Sequence, residues 1–365
     1  MSHEIAFISD IHFGCRGNSE KYISTMVSFF KDTLFNVLKE RKIKDLRILG
    51  DLFDNRNAIN VRTINAVIDV FKFMETKLPE LRIKILTGNH DQYYHNRYDI
   101  ISLNILRNFS NIEIIDKVVT DSINGKSILM VPWIVPDTAI YQDFINISDS
   151  DQKFDLLLGH FEISGFEVSP GIVDTHGVRI GKFKNFKRVF SGHYHTRNTI
   201  NNISYLGCPY PLTWADYGND KGIHIYDIDT NETTFIPNMT SPQFIKITMS
   251  DLAAGKKDML DKVNGNFVKL IIDKKYNDSA IHQVIALLES KGAILTIDNQ
   301  YVEQTELSTT ETTETDLSKI NDPITFLLEY IKIIDIPDDS KEYIDKKELM
   351  SRVSDIYQKV VTEKD

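Results

Sequence analysis

Short apolar runs that break off into polar residues dominate the pattern of this chain. Residues 5–8, 45–49, 82–86, 127–131, 154–158 and 188–190 read as buried strands ending in glycine or polar groups. Helical spacing appears between the early ones. Residues 22–39 place Met26, Phe29, Phe30, Leu34, Val37 and Leu38 along one amphipathic helix, and residues 61–73 form a second. Residues 203–206, 222–227 and 233–236 alternate as shorter strands. Strand, polar loop, helix, strand is the rhythm of an α/β fold, in which ligands bind beyond the carboxyl ends of strands. The late strands point to a second sheet, so residues 1–240 are expected to form a four-layer α/β/β/α sandwich.

After Ser241-Pro242 the rhythm changes. Residues 244–249, 267–272 and 293–297 read as strands, with helices over 252–263 and 280–289 between them. This β-α-β-α-β stretch, residues 241–300, is expected to be a small α+β accessory domain. Residues 303–316 are rich in Thr, Ser and Glu, the composition of a solvated linker, placed at 301–320. Two helical patterns follow. One covers 323–334 after an Asp322-Pro323 start signal, the other 341–361. Their apolar faces are too small for a core of their own, so residues 321–365 read as a helical pair that docks on a partner protein.

Charge sharpens this division. Residues 301–365 hold 16 Asp/Glu against 8 Lys/Arg, so the first 300 residues account for only −2 of the formal −10. A near-neutral body with local basic patches can still hold DNA. Cys15 and Cys208 form no CxxC pair, which gives no disulfide framework and fits a reducing cytoplasm. No segment approaches 18 uncharged apolar residues, so no membrane span is expected.

Five motifs carry the chemistry: Asp10-x-His12, Gly50-Asp51-x-x-Asp54, Gly88-Asn89-His90-Asp91, Gly159-His160 and Gly192-His193-x-His195. Each follows an apolar strand. The glycines are read as letting the backbone turn sharply there. Carboxylate, imidazole and amide donors together suit manganese, iron, zinc or cobalt better than calcium or magnesium. There are too many donors for one tetrahedral site. Two ions about 3.5–4 Å apart, sharing a carboxylate, would generate hydroxide and clamp an in-line displacement at phosphorus. The chain has neither a glycine-rich phosphate loop nor a Gly-x-Ser-x-Gly elbow, which leaves phosphoester hydrolysis as the leading reaction.

In this order the motifs resemble those of the calcineurin-like metallophosphoesterases, across roughly residues 1–240. Ser9-Asp10-Ile11-His12-Phe13-Gly14, Gly50-Asp51-Leu52-Phe53-Asp54, Thr87-Gly88-Asn89-His90-Asp91 and Ser191-Gly192-His193-Tyr194-His195 look most like the SbcD-type nuclease subunits of DNA repair complexes, particularly their phage-encoded recombination members. The resemblance implies that Asp10, His12 and His195 hold one metal, that Asn89, His160 and His193 hold the other, and that Asp51 bridges them. It implies two Mn²⁺, with magnesium, zinc, iron or cobalt as alternatives. His90 would meet the scissile phosphate as the catalytic residue, and Asp91 would support the ligands from behind. Some relatives carry histidine at the position of Asp54; a carboxylate there is expected to orient a metal-bound histidine or anchor the loop. The activity implied is 3′-to-5′ exonuclease with single-strand endonuclease, in recombination and repair. The partners implied are DNA, a second copy of the chain, and an SbcC-type coiled-coil ATPase gripped by residues 321–365 in a heterotetramer. To the accessory domain, residues 241–300, the resemblance gives the role of capping and orienting DNA.

Candidate DNA contacts are Arg16, Arg56, Arg62 and Arg97, soon after motif loops, and Arg179, Lys182, Lys184, Lys187 and Arg188, interleaved with Phe183 and Phe186. His176 is a loop residue with a chance of reaching the site. Tyr93-Tyr94, Trp133 and Trp214 read equally as base-stacking or core residues. Two other functions are set against the nuclease: a small-substrate phosphoesterase of the same superfamily, and a non-catalytic DNA-end scaffold. The intact ligand set and the non-ligand His90 argue against the scaffold.

Overall fold

The computed structural model describes residues 3–169, 171–256, 258–300, 328, 331 and 345–362. It divides into two compact units, Met1–Val302 and Glu303–Asp365. Among the described residues, no helix is long and apolar enough to cross a membrane.

Alternation along the strands builds the first unit. In Glu4–Ile8, Ile5 and Phe7 face one way, and Ala6 and Ile8 the other; all four are buried. Ala6 and Ile8 join Leu46, Ile48, Ile83 and Ile85 against a helical layer that includes Val61–Lys77. Ile5 and Phe7 join Leu49, Leu86, Met130, Leu156, Leu158 and Phe190, which come from both sheets. On the outer face of the second sheet, Leu129, Leu157 and Val189 pack against Ile140 and Phe144 of the helix Ala139–Asp149. Three apolar layers between four layers of structure make the α/β/β/α sandwich that the strand rhythm implies.

The first sheet runs Glu232–Pro237, Gly222–Asp227, Glu4–Ile8, Asp45–Ile48, Arg82–Leu86, Ile112–Ile115. The second runs Asn198–Ile200, Ile203–Tyr205, Phe186–Gly192, Phe154–His160, Lys126–Val131, Val119–Ile123. This corrects one expectation. Of the late strands, only Ile203–Tyr205 enters the second sheet; Gly222–Asp227 returns to pair antiparallel with Glu4–Ile8, and Glu232–Pro237 follows it. Hairpin pairing beside the first strand closes an edge that would otherwise stand open.

The first amphipathic helix also differs from its expected form. It consists of Glu20–Ser28, a π-helical stretch Phe29–Leu34, and Phe35–Arg41. Met26, Phe30, Leu34 and Leu38 are all fully buried at strict four-residue spacing. In an α-helix that spacing overshoots each turn by about 40°. The wider π turn brings the stripe back onto the core.

The accessory sheet pairs Phe244–Thr248, Phe267–Ile272 and Ile294–Asn299 in parallel. The helix expected over 252–263 is instead two short pieces, Met249–Ala253 and Asp258–Lys262, because Gly255 takes a left-handed φ of 81° and stops the first. Phe267 stacks on Tyr22 of the body at 5.1 Å, and Phe244 lies 4.5 Å from Trp214. In the second unit the helix Lys346–Thr362 is seen. The linker at 301–320 lies outside the described residues, as does the helix expected at 323–334 except for residues 328 and 331.

Candidate metal centre

Five parallel strands bring their carboxyl ends together. Glu4–Ile8, Asp45–Ile48 and Arg82–Leu86 are adjacent and parallel in the first sheet, and Phe154–His160 and Phe186–Gly192 in the second. Their loops are laced at the edge. Ile11 N donates to Asp51 O at 2.9 Å, and Phe13 N to Leu52 O at 2.8 Å. Leu49 O accepts from Ser9 Oγ at 2.9 Å and from His160 Nδ1 at 2.6 Å, which ties the second sheet to the first.

Two glycines show how tightly these ends are packed. Gly50 has a left-handed φ of 93°, and a Cβ there would lie 2.3 Å from His160 Nδ1. Gly88 has no such φ; it is required because a Cβ would lie 2.2 Å from Asp51 Oδ1. Room, more than a sharp turn, explains the glycine at Gly88. Strain falls on the ligands instead. Asp10, His12 and Asp51 sit at φ of 53°, 52° and 53°, and His193 at 97°. Such backbone is costly for residues with side chains, and it persists where surrounding structure enforces it.

The side chains meet as two sets. His12 Nε2 and His195 Nε2 approach to 3.0 Å, and Asp10 brings a carboxylate oxygen within 4.8 Å of both. Asn89 Oδ1 lies 3.0 Å from His160 Nε2 and 3.1 Å from His193 Nδ1. Asp51 Oδ2 stands between the sets, 3.7 Å from His12 Nε2 and 3.4 Å from His160 Nε2. Because His160 Nδ1 donates to Leu49 O, Nε2 is the atom that would ligate a metal once the ion displaces its proton. Two imidazole nitrogens at 3.0 Å with a carboxylate beside them invite a proton or a cation between them. The donor set fits divalent ions with mixed nitrogen and oxygen preference.

Electrostatics agree. Burial disfavours ionised Asp51, yet the His160, His12 and His90 imidazoles hold it well below the usual carboxylate range. Burial likewise works against a charged His160, but Asp51 and Asp10 push it up to about 9. Burial and the neighbouring His160 bring His193 down to about 3. His195 is lowered by burial and by His12. The centre thus gathers buried negative charge and holds a proton where a cation would replace it.

The supporting groups are close by. His90 N donates to Asp51 Oδ1 at 2.8 Å, and its Nδ1 lies 2.6 Å from the Asp54 carbonyl oxygen. The Asp54 carboxylate lies 3.4 Å from His12 Nδ1, which has no better partner. Asp91 accepts from Gly88 N at 2.9 Å, Phe53 N at 3.2 Å and Leu52 N at 3.4 Å, so one carboxylate braces two motif loops. Burial and the Asp51 charge push Asp91 up to about 7. The sequence reading did not find the buried Lys221–Asp216 pair. Lys221 Nζ donates to His195 O at 2.5 Å and to Asp216 Oδ1 at 2.6 Å, anchoring the last ligand loop. No motif marks that pair; it becomes visible only when the loop folds over it. The Trp133 ring lies 4.8 Å from that of His193.

The basic candidates separate. Arg56 lines a cavity of about 420 Å³ that opens on Asn89 and His193, and His176 lines it too. Arg97 lies over the Tyr94 ring at 3.8 Å and pairs with Asp99. Arg16 donates to Leu212 O, and Arg62 pairs with Glu20. The run from Lys182 to Arg188 does not reach the centre. Phe183 and Phe186, 0% and 2% exposed, are core residues, and Lys182 pairs with Asp149 at 2.6 Å. Lys184 and Lys187 line a shallow dip beside Phe154 and Phe186, at the far end of the strand that delivers His193. That end is about 20 Å away at about 3.3 Å per residue. Apolar spacing there served the second core, not a stack of bases.

Comparison with known proteins gives the family. A family model described as calcineurin-like phosphoesterase matches residues 3–197. That is more than half of the chain, and the chain belongs to this family. It is 28% identical over 239 residues to exonuclease subunit 1 of Enterobacteria phage T4, covering 65% of this chain and 68% of that one. It is 25% identical over 209 residues to a provisionally named phosphoesterase of Invertebrate iridescent virus 3, covering 56% of each. A dimetal phosphatase structure from Danio rerio aligns with a TM-score of 0.34 at 10% identity, over 61% of this chain and 92% of that one.

Proposed function

We propose that this calcineurin-like phosphoesterase is a DNA nuclease that uses two divalent ions, manganese by preference, and works as the nuclease subunit of an ATPase–nuclease complex in recombination and repair. The observation that carries the reading is Asp51, whose Oδ2 faces His12 on one side and His160 on the other at 3.7 and 3.4 Å. Asp10, His12 and His195 would hold one ion, Asn89, His160 and His193 the other, with Asp51 shared. Ions seated there would supply Lewis acidity at phosphoryl oxygens and a nucleophilic water at neutral pH.

The chain's own residues supply the rest. Leu49 O leaves Nε2 as the ligating atom of His160. Asp54 steadies His12 with its carboxylate and His90 with its carbonyl. With Nδ1 tied there, Nε2 is the His90 atom that would donate a proton to the leaving oxygen. The name of the phage T4 relative supports both the nuclease activity and the subunit status. The helix Lys346–Thr362, with Leu349 exposed, supports a docking role for residues 321–365 on a coiled-coil ATPase. Dimerisation through the phosphoesterase body completes the proposed assembly.

The test uses the full chain with Mn²⁺, 3′-labelled duplex DNA and a chromogenic phosphodiester. Both substrates should be hydrolysed. His90→Ala should lower kcat by about 10²–10⁴-fold while leaving bound metal unchanged. Hydrolysis of neither substrate overturns the enzyme reading. Cleavage of the small ester alone, with DNA left intact even beside the ATPase, overturns the nuclease.

A further inference from the structure

One stretch of chain touches the loops that carry three of the seven proposed ligands. Residues 207–221 follow the strand Ile203–Tyr205 and hold none of the five motifs. Their first contact is with the last ligand. Lys221 Nζ and Cys208 N both donate to His195 O, at 2.5 and 3.3 Å. The approach is so close that a Cβ at Gly207, whose φ is 68°, would lie 2.7 Å from that oxygen. The second contact is with the turn between Asp10 and His12, where Tyr210 OH donates to Ile11 O at 2.8 Å. A third lies just beyond that turn: Arg16 Nη2 donates to Leu212 O at 3.1 Å.

The Lys221–Asp216 pair closes this stretch on itself. Asp216 Oδ1 takes Lys221 Nζ at 2.6 Å, and its Oδ2 takes Leu212 N and Thr213 N, both at 2.9 Å. Both side chains are 1% exposed. A buried ion pair is weak evidence for stability, because apolar residues of similar volume often serve as well. What apolar residues cannot do is donate to His195 O. That bond matters because, among the described residues, the His195 ring has one hydrogen-bonding contact, with its co-ligand His12. His160 has Leu49 O behind its ring, and His12 has Asp54. His195 is placed through its backbone instead. Among the described residues, no hydrogen bond joins residues 207–221 to Asn89, His160 or His193.

We propose that Lys221 is a positioning residue and that the stretch it closes serves one ion of the two, that of Asp10, His12 and His195, which rests on the two-ion reading of the centre but not on DNA as the substrate. Loosening Lys221 frees the His195 backbone and lowers the affinity for that ion. The other ion keeps Asn89, His160, His193 and the shared Asp51. Groups that support metal ligands from outside are typically worth 10–100-fold in metal affinity.

The readout is Mn²⁺ bound to the full chain at equilibrium dialysis, without substrate. The unsubstituted chain should bind two equivalents. Lys221→Met should weaken one of them about 10–100-fold and spare the other. Because that variant strands a buried carboxylate, Lys221→Met with Asp216→Asn separates folding from positioning. In chelator the double variant should regain Tm, while the affinity for the weakened ion should stay low. Tyr210→Phe removes a single hydroxyl from the second contact and should weaken the same ion roughly fivefold, the value of one hydrogen bond. Asn89→Ala should cost the opposite ion, so Asn89→Ala with Lys221→Met should hold neither tightly. A merely structural pair would lower Tm in Lys221→Met and leave both affinities alone. Fewer than two equivalents in the unsubstituted chain overturns the two-ion reading and this assignment with it. With two bound there, the positioning role alone is overturned by unchanged affinities in the double variant or in Tyr210→Phe, by equal weakening of both ions, or by one ion still held tightly when Asn89→Ala and Lys221→Met are combined.

Discussion

In the accessory sheet, the strand Phe244–Thr248 ends on a threonine whose hydroxyl accepts from Asp251 N at 2.9 Å and starts the next helix. In the body, the strand Asp45–Ile48 leads to Asp51, whose carboxylate faces two imidazoles. Both regions use parallel strands joined by helical crossovers, and both follow apolar runs with polar residues. In the accessory module those polar groups serve local structure: Asn277 Oδ1 takes Ala280 N at 2.7 Å, and Asp273 Oδ1 takes Ser250 N at 3.3 Å. The body also buries its polar strand ends, and it holds Asp10, His12, Asp51 and His193 at positive φ. Beyond Asn231, no non-glycine residue with positive φ occurs among the described residues. Backbone strain and buried charge, not polarity after a strand, mark the region that does chemistry.

The largest effect should come from the residue that both halves of the centre share. Asp51→Asn replaces the carboxylate oxygen that lies 3.7 Å from His12 and 3.4 Å from His160. Hydrolysis should fall by about 10³-fold or more, and both metals should be lost together in a metal-content assay. Retention of one full equivalent of tightly bound metal would show that the two sets do not depend on Asp51. Asp54→Asn should act more weakly. Its carboxylate lies 3.4 Å from His12 and is not shared with the other ligand set among the described residues, so metal affinity should drop about 10–100-fold, with activity recovered by raising Mn²⁺.

The same contrast shows what the sequence could and could not reveal. All seven proposed ligands were legible because each directly follows an apolar run, and parallel strands must bring such ends to one edge. The return of Gly222–Asp227 to the first sheet was not legible, since an alternating strand carries no mark of which sheet it joins. The strands Ile112–Ile115 and Val119–Ile123 and the helix Ala139–Asp149 were passed over because their patterns are short or mixed with polar residues. Lys221 and Asp216 escaped for a different reason. Their importance lies in burial and in the partners they meet, and neither is a property of spacing.

Without metal, the body should also carry a pH dependence that the accessory module lacks. His160 is raised to about 9 against an ordinary 6.5. Its proton is bound more tightly in the folded state, so this stabilisation is complete below 6.5 and fades as pH climbs to 9. His193 is lowered to about 3, so its contribution is complete above 6.5 and fades as pH falls. Over the acid range Asp91, raised to about 7, works against the His193 effect, so the clear expectation is alkaline: in chelator, Tm should decline from pH 6.5 to 9, and Asp51→Asn should flatten that decline. A Tm that keeps rising from pH 6.5 to 9 would contradict the His160–Asp51 pairing.

The smallest effect tests the other side of the comparison. Thr248 caps the helix Met249–Ala253 through a single hydroxyl, and nothing in the metal centre touches it. Thr248→Ala should cost about 1 kcal/mol of stability, read as a lower urea midpoint with an unchanged slope. Metal content and the rate on a small phosphodiester should stay at the level of the unsubstituted chain, because the cap acts on the accessory module alone. A drop in either would mean that the Phe267–Tyr22 and Phe244–Trp214 contacts pass strain from the accessory sheet into the body, so the two regions would not be separable in function.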